Sequence, residues 1–329
     1  MTMTAVENRK IVLKGENIKK YFPVGGGFGS KKKLVKAVDD IDIAIHEGEI
    51  YGLVGETGCG KSTLGRTLIR LTEPTAGKLE VLGEDITHSR DKDLMKLRQA
   101  VQMVFQDPFT SLDPKQKVGE ILMEAMEIHG IGTRETRLDT AMEIMAKVGL
   151  RPEHFYRYPH EFSGGQRQRV GLARALILNP KVIVCDEPVS ALDVSIQAQI
   201  INLMQDLREQ YDISFLFIAH DMSVVKYISD KIGVMYLGHL MEEAKTDELF
   251  ENTLHPYAQA LLSAVPNASP HVKKERIMLQ GDLPSPMNPP SGCVFHTRCP
   301  YATEDCSVRV PKLQEIQPGH KVACLKYEQ

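Results

Sequence analysis

Three groups of residues in this 329-residue chain have types and spacings suited to chemistry on a phosphorylated compound. Gly55-Glu56-Thr57-Gly58-Cys59-Gly60-Lys61-Ser62-Thr63 fits the pattern G-x-x-x-x-G-K-[ST]. Its glycines let the backbone wrap a phosphate with N–H groups, and a helix start behind it adds a favourable partial charge. Lys61 has the reach for β- and γ-phosphates, and the Ser62 hydroxyl suits Mg²⁺. Cys59 fills a free position of the pattern. Further on, Val182-Ile183-Val184-Cys185 is an apolar run ending in Asp186 and Glu187. Carboxylates at the C-terminal edge of a parallel sheet suit Mg²⁺ and water activation, with Asp186 holding the cation through water and Glu187 acting as general base. Cys185 reads as inert core. The third group, Ser163-Gly164-Gly165-Gln166, opens a helix-period stretch and offers a second anion site. One triphosphate seldom needs two such sites on one chain.

A fourth group suits a soft metal. Cys293, Cys299, Cys306 and Cys324 follow the spacing C-x₅-C-x₆-C-x₁₇-C, which is neither a zinc ribbon nor a common ferredoxin run. In a reducing compartment, clustered thiols suggest metal before disulfides. Spacing alone leaves an iron–sulfur centre, zinc, and free thiols or disulfides all open.

These groups need a frame. Ile50–Val54, Val101–Phe105, Val182–Cys185, Ser214–Ala219 and Lys231–Tyr236 read as buried strands. Helix-period stretches lie between them at Lys61–Leu71, Val118–Ile128, Thr136–Val148, Gln166–Leu178 and Ile196–Gln210. Such alternation predicts an α/β sheet covered on both faces. Asp107–Phe162 breaks the pattern and reads as a helical insertion, over about 107–165. Gly25–Lys33 is expected to be a solvated basic loop. Four prolines within Gly281–Gly292 prevent regular structure there. The predicted division is therefore 1–264 and a small appendage over 265–329.

Forty Lys and Arg against 43 Asp and Glu give a net charge of −3, so no global basic field favours nucleic acid. No apolar run approaches the ~18 residues of a spanning helix, and Met1–Lys10 lacks the apolar core of a signal peptide. A cytosolic chain is expected.

The order of phosphate loop, Gln106, Ser163-Gly-Gly-Gln166, Asp186-Glu187, Ser190-Ala-Leu-Asp193 and His220 resembles the nucleotide-binding subunits of ATP-binding cassette transporters, over roughly residues 11–262. Phe162 stands where the usual signature has Leu. The resemblance implies a phosphate-loop NTPase cassette: a RecA-like α/β core with an antiparallel β subdomain and the helical insertion. It implies that Tyr21 stacks on adenine, Gln106 senses Mg²⁺ and water, His220 contacts the γ-phosphate and Asp193 couples the two sites of a cassette dimer. Phe105–Pro114, Arg157–His160, Pro188–Ser195, His255–Leu262 and Arg298–Ala302 are similar to the dipeptide and oligopeptide importer branch. That branch implies an ATPase motor using ATP and Mg²⁺, with a [4Fe–4S] cluster on the four cysteines. Its implied partners are a second, paralogous cassette, two membrane-spanning permeases and an extracytoplasmic peptide-binding protein. The implied location is the cytoplasmic face of the cell membrane. Nickel or another small solute is the alternative cargo. A soluble cassette ATPase of repair, translation or cluster assembly lacks its usual marks here, namely tandem cassettes, a long coiled-coil insertion or a basic surface. A small-molecule kinase leaves Ser163–Gln166 and Asp193 unexplained.

Overall fold

The structure, a computed structural model, describes residues 9–25, 33–107, 111–265 and 276–328. Its strands are β1 (Ile11–Val24), β2 (Lys33–His46), β3 (Ile50–Val54), β4 (Ala76–Val81), β5 (Glu84–Asp85), β6 (Val101–Val104), β7 (Val182–Asp186), β8 (Ser214–Ile218), β9 (Lys231–Tyr236), β10 (His239–Lys245), β11 (Gln314–Gln317) and β12 (His320–Val322). Its described helices are α1 (Lys61–Leu68), α2 (Asp91–Ala100), α3 (Val118–Ile128), α4 (Arg134–Lys147), α5 (Gly164–Leu176), α6 (Val194–Tyr211), α7 (Met222–Ile228), α8 (Thr246–Glu251) and α9 (Pro256–Ser263). The basic loop expected over Gly25–Lys33 lies, apart from its two end residues, outside the described residues.

Two compact units result. One holds 9–13, Ile45–Glu49 and Val81–Phe217; the other holds Lys14–Ala44, Ile50–Glu80 and 218–328. In the first, β6 and β7 run parallel with Val101 opposite Val182 and Val104 opposite Cys185. All five residues of β7 and of β8 are buried, which is why both read as unbroken apolar runs. Between Asp107 and Phe162 the described residues form α3, α4 and two 3₁₀ turns, with no strand. There α3 packs against α4, and Gly119 leaves room for the Phe155 ring, which a Cβ would meet at 2.3 Å.

In the second unit β3 runs parallel to β9, and β9 turns at Leu237-Gly238 into antiparallel β10. The tail then adds two strands beyond β10: Val322 lies opposite Glu242 and Lys321 opposite Glu243, giving the order β11-β12-β10-β9-β3. Strands β2, β1 and β4 lie side by side in a different sheet. In β2 the buried Ile41, Ile43 and Ile45 alternate with outward acids such as Asp40 and Asp42, so a search for continuous apolar runs passes over it.

Two adjacent buried acids fasten the tail to this sheet. The Glu242 carboxylate accepts from the backbone N–H groups of Leu254 and His255, both at 2.8 Å, and pairs with His320 Nε2 at 2.7 Å. The neighbouring Glu243 accepts from the Tyr51 hydroxyl at 2.7 Å and meets Lys231 and Lys321 at 2.8 and 3.1 Å. Burial opposes the charge on Glu243, but the two lysines outweigh it and hold its pKa below the ordinary carboxylate value.

Burial likewise opposes a charged His320, yet Glu242 and Glu248 raise its pKa above the usual imidazole value. A raised histidine contributes stability fully below its unfolded pKa of about 6.5 and loses it as pH climbs through the folded value. The stability difference between the parent chain and His320→Gln should therefore be largest below about pH 6.5 and shrink as pH rises above it in urea unfolding. A difference that grows with pH would show that the imidazole is buried uncharged.

Candidate phosphate-binding and hydrolytic site

The phosphate loop leaves the buried end of β3 and runs into α1. Close approach explains two of its glycines: a Cβ on Gly55 would stand 2.1 Å from the Met235 carbonyl oxygen, and one on Gly60, at φ +109°, 2.0 Å from that of Ala37. Thr57 and Gly58 are exposed at the tip, while Cys59 is buried beneath it. Lys61 is folded into the loop, its ammonium donating to the carbonyls of Gly55 at 2.7 Å and Glu56 at 3.0 Å. The loop thus presents its outer surface and keeps its lysine on its own carbonyls. Burial pushes the Cys59 thiol above its ordinary pKa, consistent with a filler role rather than a nucleophile.

Tyr21 and His220 belong to the same unit as the loop. The Tyr21 hydroxyl donates to Asp39, and the Lys36 ammonium sits 5.5 Å from its ring centroid, covering one face. Burial and then Asp39 raise the phenol's pKa, so the ring stays neutral. His220 is exposed just past β8, where Asp221 caps α7 by accepting from the Ser223 N–H at 2.7 Å.

The other unit holds Gln106, Ser163–Gln166, Asp186, Glu187 and Asp193. Asp186 is fully buried at the end of β7. Glu187 follows it with φ +47°, a left-handed conformation that costs a non-glycine residue free energy and fixes where its side chain leaves the strand. Its carbonyl accepts from the Ser190 hydroxyl at 3.1 Å, and its carboxylate accepts from the Gln106 amide at 3.1 Å. Gln106 and Glu187, 81 positions apart, are thereby brought together. With its nitrogen engaged, the Gln106 amide has its oxygen to offer a cation. Ser62 hydroxyl, Gln106 amide and Asp186 carboxylate are all hard oxygen donors, the kind Mg²⁺ takes.

Ser163 and Gln166 form a reciprocal capping box at the start of α5. Gln166 Oε1 accepts from the Ser163 N–H at 3.0 Å, and Ser163 Oγ accepts from the Gln166 N–H at 3.4 Å. Both Ser163 and Gly164 remain exposed. Asp193 caps α6, accepting from Ile196 N–H at 3.0 Å and the Ser195 hydroxyl at 2.6 Å, which holds its carboxyl below the usual range.

None of the six cysteines forms a disulfide. Cys293, Cys299, Cys306 and Cys324 line one cavity of about 230 Å³, together with Phe295 and Lys326. Burial raises the Cys293 thiol to about 11, and lifts Cys299 and Cys324 as well. Among the described residues, no group of three or more His, Cys, Asp or Glu side chains converges closely enough to hold a metal ion. Sequence spacing assigned no role to Tyr257 or Arg298, yet both contact the phosphate loop at Glu56. Nothing local signals the pairing, because Arg298 lies 242 positions from Glu56. No helix of the described residues is long and apolar enough to cross a membrane.

The family described as ABC transporter matches residues 38–190, and that described as oligopeptide/dipeptide transporter, C-terminal region, matches residues 241–306. The chain is 53% identical over 329 residues to the oligopeptide transport ATP-binding protein AppF of Bacillus subtilis, covering 99% of this chain and 100% of that one. It is 49% identical over 329 residues to the oligopeptide transport ATP-binding protein OppF of Salmonella typhimurium, covering 98% of each. Among solved structures, a dimeric ATP-binding cassette in a post-hydrolysis state bound to ADP and Pi gives a TM-score of 0.64 at 28% identity, over 71% of this chain and 98% of that one. A nucleotide-free cassette from an ABC transporter gives 0.63 at 27% identity, over 77% and 98%.

Proposed function

The chain belongs to the ATP-binding cassette family of transporter subunits, and we propose that it is the ATP-hydrolysing motor of an importer that carries dipeptides or oligopeptides across the cytoplasmic membrane. One observation carries the peptide assignment. Similarity to oligopeptide transport subunits runs through the whole chain, including the tail, rather than stopping at the cassette.

The proposed chemistry assigns one task to each element. Backbone N–H groups of Gly55–Thr63 and the Lys61 ammonium hold the β- and γ-phosphates, so nucleotide must draw Lys61 off the carbonyls it now occupies. Ser62, Gln106 and Asp186 would hold Mg²⁺, which when bound neutralises charge on the phosphate oxygens. Glu187 takes a proton from the water that attacks the γ-phosphorus, and the bond to the ADP oxygen breaks. Tyr21 offers its remaining face to adenine, and His220 contacts the γ-phosphate. Ser163–Gln166 of one cassette face the γ-phosphate held by a second, paralogous cassette, and Asp193 links the two. The other proposed partners are two permeases, reached at the cytoplasmic face of the membrane, and an extracytoplasmic peptide-binding protein.

Purified with those partners in lipid vesicles, the chain should hydrolyse ATP faster when peptide-loaded binding protein is added, with peptide accumulating inside. Hydrolysis indifferent to peptide would overturn the cargo assignment.

For the tail, the donor set is four soft thiols around one cavity. A cavity ringed by thiols suits a centre of several atoms, and the four cysteines would hold a [4Fe–4S] cluster whose role is structural and regulatory. A tail of this size also lacks the core to order itself, and a metal or disulfide staple is the usual remedy below about 70–80 residues. Protein purified without oxygen should be brown, with about four irons per chain. Replacing all four cysteines by serine should remove both iron and colour. Colourless protein with one zinc would overturn the cluster.

A further inference from the structure

Glu56, a position the phosphate-loop pattern leaves unspecified, is held at three polar groups. Its carboxylate receives both terminal nitrogens of Arg298, Nη1 to Oε2 at 2.8 Å and Nη2 to Oε1 at 3.1 Å. This is the bidentate geometry that a lysine ammonium does not reproduce. The Arg298 side chain is only 9% exposed, so the pair is better shielded than a surface ion pair. The Glu56 backbone N–H donates to the Tyr257 hydroxyl at 2.9 Å, and its carbonyl receives Lys61 at 3.0 Å. Two of these three holds come from residues more than 200 positions downstream.

The segment that supplies Arg298 also builds the thiol cavity. Cys293 and Cys299 line that cavity, and between them stand Phe295 and Arg298. Phe295 is fully buried, with ring centroids 5.2 Å from Tyr236 and 5.4 Å from Tyr257. Tyr236 and Tyr257 meet edge to face at 4.7 Å, and Arg298 donates to the Tyr236 hydroxyl at 3.5 Å. One short segment therefore has both ends at the cavity and its middle wedged against the residues that hold the loop. Close-packed aromatic contacts of this kind transmit displacement rather than absorb it.

We propose that Arg298 and Tyr257 are positioning residues for the phosphate loop, and that the Cys293–Cys299 segment makes the loop's grip on ATP depend on how the four-cysteine cavity is held. Ligation of both end cysteines by a thiolate-bound metal centre fixes the segment, and with it the Arg298 fork on Glu56. Release of either end lets Arg298 withdraw and the loop loosen. The coupling to the cavity rests on the metal-centre reading of the tail; the Arg298–Glu56 hold does not.

Equilibrium binding of a fluorescent ATP analogue to the full chain, with Mg²⁺, reads the grip directly. Arg298→Ala and Glu56→Gln should each weaken binding about tenfold, and the double variant should be no weaker than either. Arg298→Lys should fall between Arg298→Ala and the parent. In the assembled importer the same changes should raise KM for ATP more than they lower kcat. Cys299→Ser should weaken binding in the parent chain and add nothing in the Arg298→Ala background. Multiplying effects of Arg298→Ala and Glu56→Gln, or an Arg298→Ala affinity within twofold of the parent, would overturn the hold. Tyr257→Phe removes only a hydroxyl and serves if Arg298→Ala does not fold; unchanged affinity in that variant would overturn the Tyr257 part. Iron measured on the same samples separates the two ideas. Iron-free protein with full Arg298–Glu56 coupling overturns the metal link alone, and iron-loaded protein without that coupling overturns the hold alone.

Discussion

Glu187→Gln should lower ATP turnover by about 10²–10⁴-fold, the usual worth of a general base, while ATP binding persists. The substitution keeps the shape and one acceptor oxygen, so the Gln106 amide retains a partner and β7 is undisturbed. What disappears is the ability to take a proton from water. A Gln also adopts the φ +47° backbone of this position no worse than Glu, so the folding cost is small. Binding without hydrolysis should trap a closed cassette dimer, visible as an ATP-dependent increase in mass on a sizing column. Phosphate release near the parental rate would remove Glu187 from the role of base.

Ser163→Arg should abolish cooperative turnover, a loss of about 10²-fold or more, and leave ATP affinity of the isolated chain unchanged. Ser163 is exposed at the start of α5, where its hydroxyl and backbone serve the capping box with Gln166. Replacing a cap costs about 0.5–2 kcal/mol locally. Ser163→Asn is the control, because Asn caps as well as Ser and carries no long cation. If the signature acts on nucleotide held by the partner cassette, Ser163→Asn retains far more activity than Ser163→Arg. Weakened ATP binding by the isolated Ser163→Arg chain would argue instead for a site within one chain.

What the sequence made legible was whatever is local. The phosphate loop sits between a wholly buried strand and a helix because its glycines and apolar flanks demand that arrangement. The apolar run before Asp186 emerged as β7, and Val118–Ile128 as α3, because burial and helical period leave a direct trace. The role of Gln106 entered only through resemblance to a family, and its contact with Glu187 is visible only in the fold. Long-range features left little trace. Glu242 and Glu243 carry no local signal of burial, yet both are buried, because their partners His320 and Lys321 come from a hairpin far downstream. The four cysteines were visible as a cluster in sequence, but that they ring one cavity depends on the path of the tail. The Arg298–Glu56 pair is the extreme case, since neither residue carries a pattern that names the other.

The pairing of β12 with β10 also bears on how the molecule is made. Synthesis runs from the N-terminus, so β10 leaves the ribosome long before residues 320–322 exist. Until they arrive, β10 offers an open edge of N–H and C=O groups to any neighbouring strand, the usual starting point for association between chains. During the same interval Glu242 lacks His320 and Glu243 lacks one of its two lysines, so two carboxylates are buried with fewer partners. The charge that costs stability before the tail docks also keeps the open edge from pairing elsewhere. Glu242 and Glu243 thus guard the nascent chain and later anchor the finished one, where β12 covers the edge that β10 had left open.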